Sequence, residues 1–419
     1  MNIFKKKESQ NHHLDLIKIL IMFFIPYTVM GISQNGILGL LPFVREEFVL
    51  TRLQIGYYAT SFFVSSAMLA ILAGSIVDRL GPEKSVLLGI GCTSSILMFY
   101  GWSPSYEALL LMAIFAGLFL SLITPSVIKG TTIASPPEKR AFSLGIVQSG
   151  YSFGSVVGAS LLPLLGKSFG WRTAVQFTAV FTLLIGVLLY KFYQKQNNHN
   201  NLFEISPKRG ERENLFKKNL LTILENKPLM RICILGIIFG VSEGAVISHF
   251  AVFLSEDLNM SRVIAGLGLG ILYVGGMIGL AGWGWVSDKL FRENRTLNLF
   301  LLGSAIGSMY VIFSLLLNVP QVDILIIFIF SFLLGFVAIG WSGAYFVVVG
   351  ELAGEKQTGF ATGLSLFFIR TGILIAPIAF GFIADVNGNY GYSWFLFGIL
   401  IIVISSLFLL KEQKTVQPV

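Results

Sequence analysis

Charge is scarce in this sequence. Of its 419 residues only 12% are Asp, Glu, Lys or Arg, against roughly a quarter in a typical soluble domain, and that shortage excludes an ordinary water-soluble enzyme. Cysteine is nearly missing too. Cys92 and Cys233 are the only two, both fall inside long apolar runs, and they build neither a disulfide framework nor a metal site. No cluster of metal ligands, no nucleophile motif and no stretch able to form a soluble catalytic domain is found, so no cofactor is expected. Strand-type alternation of polar and apolar residues is lacking, which excludes a membrane barrel. What is abundant is apolar: 54% of the chain, with a mean hydropathy of +0.77, so the solvent for most of it is lipid.

Between Lys18 and Arg45 lie 26 residues without a charge, and about 20 apolar residues suffice to cross the hydrocarbon core as a helix. The same criterion predicts further spans near 53–77, 85–103, 107–128, 141–165, 171–190, 230–254, 262–287, 297–318, 323–349, 358–383 and 391–410, making an all-α membrane protein of twelve helices. Short loops rich in turn residues join them, such as Gly101-Trp102-Ser103-Pro104 and Asp385-Val386-Asn387-Gly388. The first span is too long for a signal-peptide core, and its far end, Leu41 to Arg45, has no small-x-small cleavage site, so it is expected to be retained.

Basic residues in short loops mark the cytoplasmic side. With the N-terminus inside, the inner segments carry 24 Lys and Arg and the outer ones five, namely Arg45, Arg52, Lys167, Arg172 and Arg262, leaving Arg370 alone in mid-membrane. Both termini are therefore expected in the cytoplasm, with the chain multi-pass in the cell membrane. The net charge of +8 is thus a topological signal and a set of lipid-headgroup contacts, with no nucleic-acid partner implied.

The longest polar segment, Lys191 to Arg231, follows the sixth span and divides the chain into residues 1–190, a cytoplasmic linker at 191–229, and residues 230–419. An internal repeat supports that division. Gly31-Ile32-Ser33-Gln34 of span 1 returns as Gly240-Val241-Ser242-Glu243 of span 7; Arg52, Gly56 and Asp78 return as Arg262, Gly266 and Asp288; Gly145 and Gly154 return as Gly363 and Gly372. Two six-helix halves of one topology, with a cavity between them near the bilayer midplane, describe an alternating-access transporter.

The loop after span 2 reads Gly74-Ser75-Ile76-Val77-Asp78-Arg79-Leu80-Gly81-Pro82-Glu83-Lys84. Gly74 and Gly81 permit a close helix approach and a tight turn, and Asp78 at a helix end can accept from exposed backbone N–H groups of a neighbouring helix, latching one state. The plainer alternative is that Asp78, Arg79 and Lys84 end the helix in solvent. This loop resembles the G-x-x-x-D-R-x-G-x-x-K/R signature of the major facilitator superfamily. A degenerate copy, Gly284 to Arg292 with Asp288 in the acidic place, follows span 8 and lacks the second glycine. Pro137 to Gly145 is similar to that family's loop between helices 4 and 5. The resemblance covers the whole chain and implies a secondary transporter rather than an enzyme.

Ionisable groups at mid-membrane cost several kcal/mol, about 2.5–3.5 on insertion scales, so each needs a reason. Arg370, midway along span 11, offers either a planar fork to a substrate carboxylate or a structural salt bridge to Glu243. Glu243, midway along span 7, is either a proton-coupling carboxylate or that bridge's other half. His249 is either a proton relay or a satisfied interior histidine. Gln34 and Asn35 occupy the repeat-related place in span 1, and with Tyr151 and Tyr345 they are candidates for lining a substrate site. Gly74, Asp78, Arg79, Gly81, Lys84 and Asp288 are candidates for conformational gating.

Relative to the family, span 5 lacks the Gly-Pro pair of drug:proton antiporters, the Pro-Glu-Ser-Pro-Arg motif of sugar porters is absent after span 6, and no arginine stands in span 2 or 8 where nitrate porters carry theirs. A lone basic residue in span 11 resembles the monocarboxylate and oxalate:formate porters, without the partner cation those carry in span 8. The resulting expectation is a monomeric carrier of a small organic anion, with protons as the coupled partner. Efflux of an amphipathic drug or metabolite stands as the alternative within transport, and a transporter-like sensor as the alternative outside it.

Overall fold

The computed structural model describes residues 2–135, 140–197, 225–354 and 358–416. Within these, side chains are described except at 2–19, 70–72, 74, 75, 78, 140–142, 195–197, 358–360 and 409–416. The described residues form helices α1 (Asn2–Phe48), α2 (Arg52–Leu80), α3 (Pro82–Tyr100), α4 (Tyr106–Leu120), α5 (Ile123–Ala134), α6 (Arg140–Phe169), α7 (Trp171–Asn197), α8 (Lys227–Glu256), α9 (Arg262–Leu290), α10 (Arg295–Leu316), α11 (Ile324–Ala338), α12 (Ser342–Ala353), α13 (Thr358–Asn387) and α14 (Gly391–Val416). Of the predicted linker, residues 198–224 lie outside the described residues, as do residues 136–139 of the loop after span 4.

Among the described residues, fourteen helices make twelve spans because two spans are broken. In the fourth, Pro125 has no N–H to give the Ser121 carbonyl and its ring crowds that group, so α4 ends at Leu120 and α5 starts afresh at Ile123. In the tenth no proline acts. There the Gly340 N–H bonds back to the Gly335 carbonyl at 3.2 Å, and the Phe336 carbonyl it would have met accepts the Trp283 indole N–H at 2.9 Å. The helix ends follow local chemistry: Ser105, Asn226, Ser261, Asn294 and Asp323 each accept a backbone N–H of the first turn.

Nine helical stretches among the described residues are long and apolar enough to cross a membrane, from Leu20–Phe48 to Gly391–Phe408. On α7, Phe177, Phe181, Leu184 and Leu188 are all exposed, Leu188 to 62%. Spaced three and four apart, they form one stripe of a helix whose apolar side faces outward, the reverse of a soluble protein and what a lipid solvent selects.

The chain forms two compact units. One comprises residues 1–37 and 64–207, the other residues 38–63 and 208–419. In the first, α1 and α6 pack backbone to backbone: Gly154 lies against the Thr28 carbonyl and Gly31 against the Tyr151 carbonyl, with no room for a Cβ at either. In the second, α8 and α13 do the same through Gly240 against the Ile369 carbonyl and Gly372 against the Ile237 carbonyl. Gly31 and Gly240 are repeat partners, as are Gly154 and Gly372, so the sequence repeat is the repeat of a packing seam.

Candidate functional site

In the first unit the α1–α6 seam brings polar groups together inside an apolar bundle. Asn35 is buried, and its Nδ2 donates to the Tyr151 hydroxyl at 3.0 Å and to the Ser155 Oγ at 2.7 Å. Tyr27 stands edge-on to the Tyr151 ring, centroids 6.2 Å apart. Gln34 is buried beside them. The sequence brought Asn35 and Tyr151 forward separately; Ser155, one helical turn after Tyr151, was not singled out.

In the second unit the α8–α13 seam carries Glu243 and Arg370, both half-buried. Among the described residues they form no ion pair within 4.0 Å. Beside Glu243, the Ser242 carbonyl accepts the Tyr310 hydroxyl of α10 at 2.6 Å.

Other candidates sit elsewhere. Tyr345 on α12 is fully buried against Phe239 and Trp341, and its hydroxyl donates to the Ile232 carbonyl at 3.1 Å. His249 is fully buried and held at both nitrogens, Nε2 2.8 Å from the Pro377 carbonyl and Nδ1 2.9 Å from the Tyr390 hydroxyl. A carbonyl only accepts, so Nε2 carries a proton, and in the neutral ring Nδ1 accepts from Tyr390.

Gly81 has φ +82° and caps α3 ahead of Pro82, the tight turn anticipated for it. Arg79 and Lys84 are exposed. The side chains at Gly74 and Asp78 lie outside the described residues. Asp288, at the end of α9, is 2.5 Å from Arg295 of α10, whose Nε is 2.9 Å from Glu351 of α12, so this copy of the loop ties three helices of one unit.

The sequence profile of the Major Facilitator Superfamily matches residues 23–345 and 232–418. The chain belongs to that superfamily. It is therefore a multi-pass secondary transporter and not an enzyme. It is 20% identical over 404 residues to the hexuronate transporter of Bacillus subtilis, covering 93% of each chain. It is 24% identical over 422 residues to a probable sulfoacetate transporter of Cupriavidus necator, covering 96% of this chain and 95% of that one. The crystal structure of a bacterial homolog to the human lysosomal transporter Spinster, inward-facing and unoccupied, superposes with a TM-score of 0.72 at 17% identity, covering 94% of this chain and 96% of that one. That last likeness is one of fold.

A group of charged residues escaped the sequence reading. Arg45 pairs with Glu256, Arg262 with Glu46, and Arg52 with Asp257 at 3.0 Å. Burial pushes the Asp257 carboxyl above its ordinary range, against the opposing pull of the Tyr390 N–H and Arg52. The three arginines entered the sequence argument as topological markers, and Arg52 and Arg262 also as repeat partners. The available signal was opposite charges at span ends: Arg45, Arg52 and Arg262 beside spans 1, 2 and 8, and Glu46, Glu256, Asp257 and Asp385 beside spans 1, 7 and 11.

Proposed function

We propose that this transporter moves a small organic anion bearing a carboxylate by alternating access, coupled to protons, with Arg370 as the substrate's cation and Glu243 as the proton carrier. The observation that carries the reading is the separation of these two groups. An ion pair would hold Glu243 ionised and occupy the Arg370 fork. With the two out of contact, Arg370 is free to take a carboxylate and Glu243 to take a proton. The two relatives described above carry names of anionic cargo, hexuronate and sulfoacetate, which supports the same class. Tyr345 and His249 have their polar atoms engaged by backbone and by Tyr390, which favours packing roles for both.

The test is uptake into proteoliposomes of labelled glucuronate, sulfoacetate and a cationic drug, with and without a pH gradient. Anion accumulation that needs the gradient is expected. Glu243→Gln should abolish that accumulation while sparing exchange of anion for anion, which moves no net proton. Accumulation of the drug alone would instead favour efflux of amphipathic molecules, and no flux of any solute would favour a sensor.

A further inference from the structure

Asp385 stands at the C-terminal end of α13, and its carboxylate closes on the first turn of α2. One oxygen accepts the backbone N–H of Arg52 and the other that of Leu53, each at 2.8 Å. Those N–H groups have no partner within their own helix, and they form the positive end of its dipole. The Arg52 side chain leaves the same turn toward α8: its Nη2 is 3.0 Å from Asp257 and 3.6 Å from Glu256, and its guanidinium lies 5.1 Å from the Tyr390 ring centroid. Asp257 in turn accepts the Tyr390 N–H at 2.6 Å.

Beyond that point α2 runs close along α13. Gly56 faces the Pro377 carbonyl where no Cβ would fit, and the Thr60 hydroxyl donates to the Leu374 carbonyl at 3.0 Å. Pro377 interrupts the hydrogen-bond ladder of α13, and the carbonyls at 374 and 377 accept from Thr60 and His249. The contact between α2 and α13 is thus a close approach held by one hydroxyl hydrogen bond in its middle and fastened at its end by charge.

We infer that Asp385 is a latch of the transport cycle, its carboxylate clasping the start of α2 in one conformation and releasing it in the other. Three features fit a fastening that opens. It joins helix ends, it uses polar groups that water can satisfy once they part, and it is backed by a contact at Gly56, which has no side chain to lock into α13. Arg52, Asp257 and Tyr390 set the position of the α2 end that Asp385 holds. The inference rests on the alternating-access reading above, but its test needs no substrate, so failure of one leaves the other to be judged separately.

A cysteine replacing Thr60, in a chain whose Cys92 and Cys233 are serine, places its thiol in the seam behind the latch. The rate of its modification by a soluble maleimide is measured on the full-length protein in detergent. Asp385→Asn removes the charge and one acceptor and should raise that rate about tenfold, the equilibrium effect of one charge-assisted hydrogen bond. Asp385→Glu, which keeps the carboxylate, should recover part of the protection, and Glu293→Gln, an exposed charge ahead of α10, should leave the rate unchanged. An unchanged rate in folded Asp385→Asn overturns the latch, as does an equal rise in Glu293→Gln. Should Asp385→Asn not fold, Asp257→Asn frees Arg52 while leaving the α2 cap in place; a smaller rise is expected from it, and none at all would overturn the inference.

Discussion

An arginine half-buried on a membrane-spanning helix needs an anion near it for at least part of its working life. The sequence offers Arg370 one such neighbour, Glu243, and leaves open whether the two are permanently joined. Both stand on the α8–α13 seam, and among the described residues they form no ion pair. Arg370→Ala is therefore expected to leave the protein folded and to weaken anion binding about tenfold or more, the loss of a charge-assisted contact. Arg370→Lys, keeping the charge without the planar fork, should retain part of the binding. Substrate-induced shifts in thermal unfolding, measured beside uptake, check both. If the double change Arg370→Ala with Glu243→Gln carried an organic anion at the parent rate, the counter-ion role would be lost, and with it the main physical reason for an anionic cargo. His249 shows the limit of reading a residue type alone. Its two partners, Pro377 and Tyr390, are 128 and 141 positions away, and nothing in the sequence around His249 announces either.

Helices were the most legible part of the molecule, because a lipid solvent leaves an unmistakable pattern of long uncharged runs. Their breaks were less so. Pro125 is visible in the sequence, but proline is common in membrane helices, and only the structure shows that here it ends one helix and lets another begin. The break at Gly340 carries no proline and depends on Trp283 of a different helix claiming a carbonyl. Helix ends also hold the charges that the sequence treated as markers of sidedness. Asp257, an acid at such an end that the count of basic residues did not use, makes a pH prediction. Burial holds its carboxyl above the ordinary value of 3.8, so the folded state binds that proton more tightly than the unfolded chain does. The resulting contribution to stability is full below pH 3.8 and is lost as pH rises through the elevated folded value. Unfolding midpoints in detergent across this range should show the loss in the parent protein, and Asp257→Asn, which cannot titrate, should lack that component. An identical pH dependence in both would mean that Asp257 titrates in the folded protein as it does in the unfolded chain.

Taken together, the two units repeat one device, a pair of helices pressed backbone to backbone at glycines, and the offsets between Gly31 and Gly240 and between Gly154 and Gly372 reveal it from the sequence. A seam made by one residue type at fixed helical spacing is legible in one dimension. The charged clasp is not, since it joins Arg52 to residues 205 and 333 positions away, each of which looks in isolation like an ordinary loop charge. The same charges had been used to orient the chain, and that use makes a separate prediction. With 24 basic residues assigned to one side and five to the other, insertion in the opposite sense would carry most of the positive charge across the membrane. Helix α10 provides a clean test because Glu293 precedes it and Val319 follows it, both exposed. In the chain without its natural cysteines, an impermeant thiol reagent added to intact cells should label Val319→Cys rapidly and Glu293→Cys only after the cells are opened. The reverse order would invert the whole topology, placing both termini and the ionic group of Asp288, Arg295 and Glu351 outside and the latch at Asp385 within.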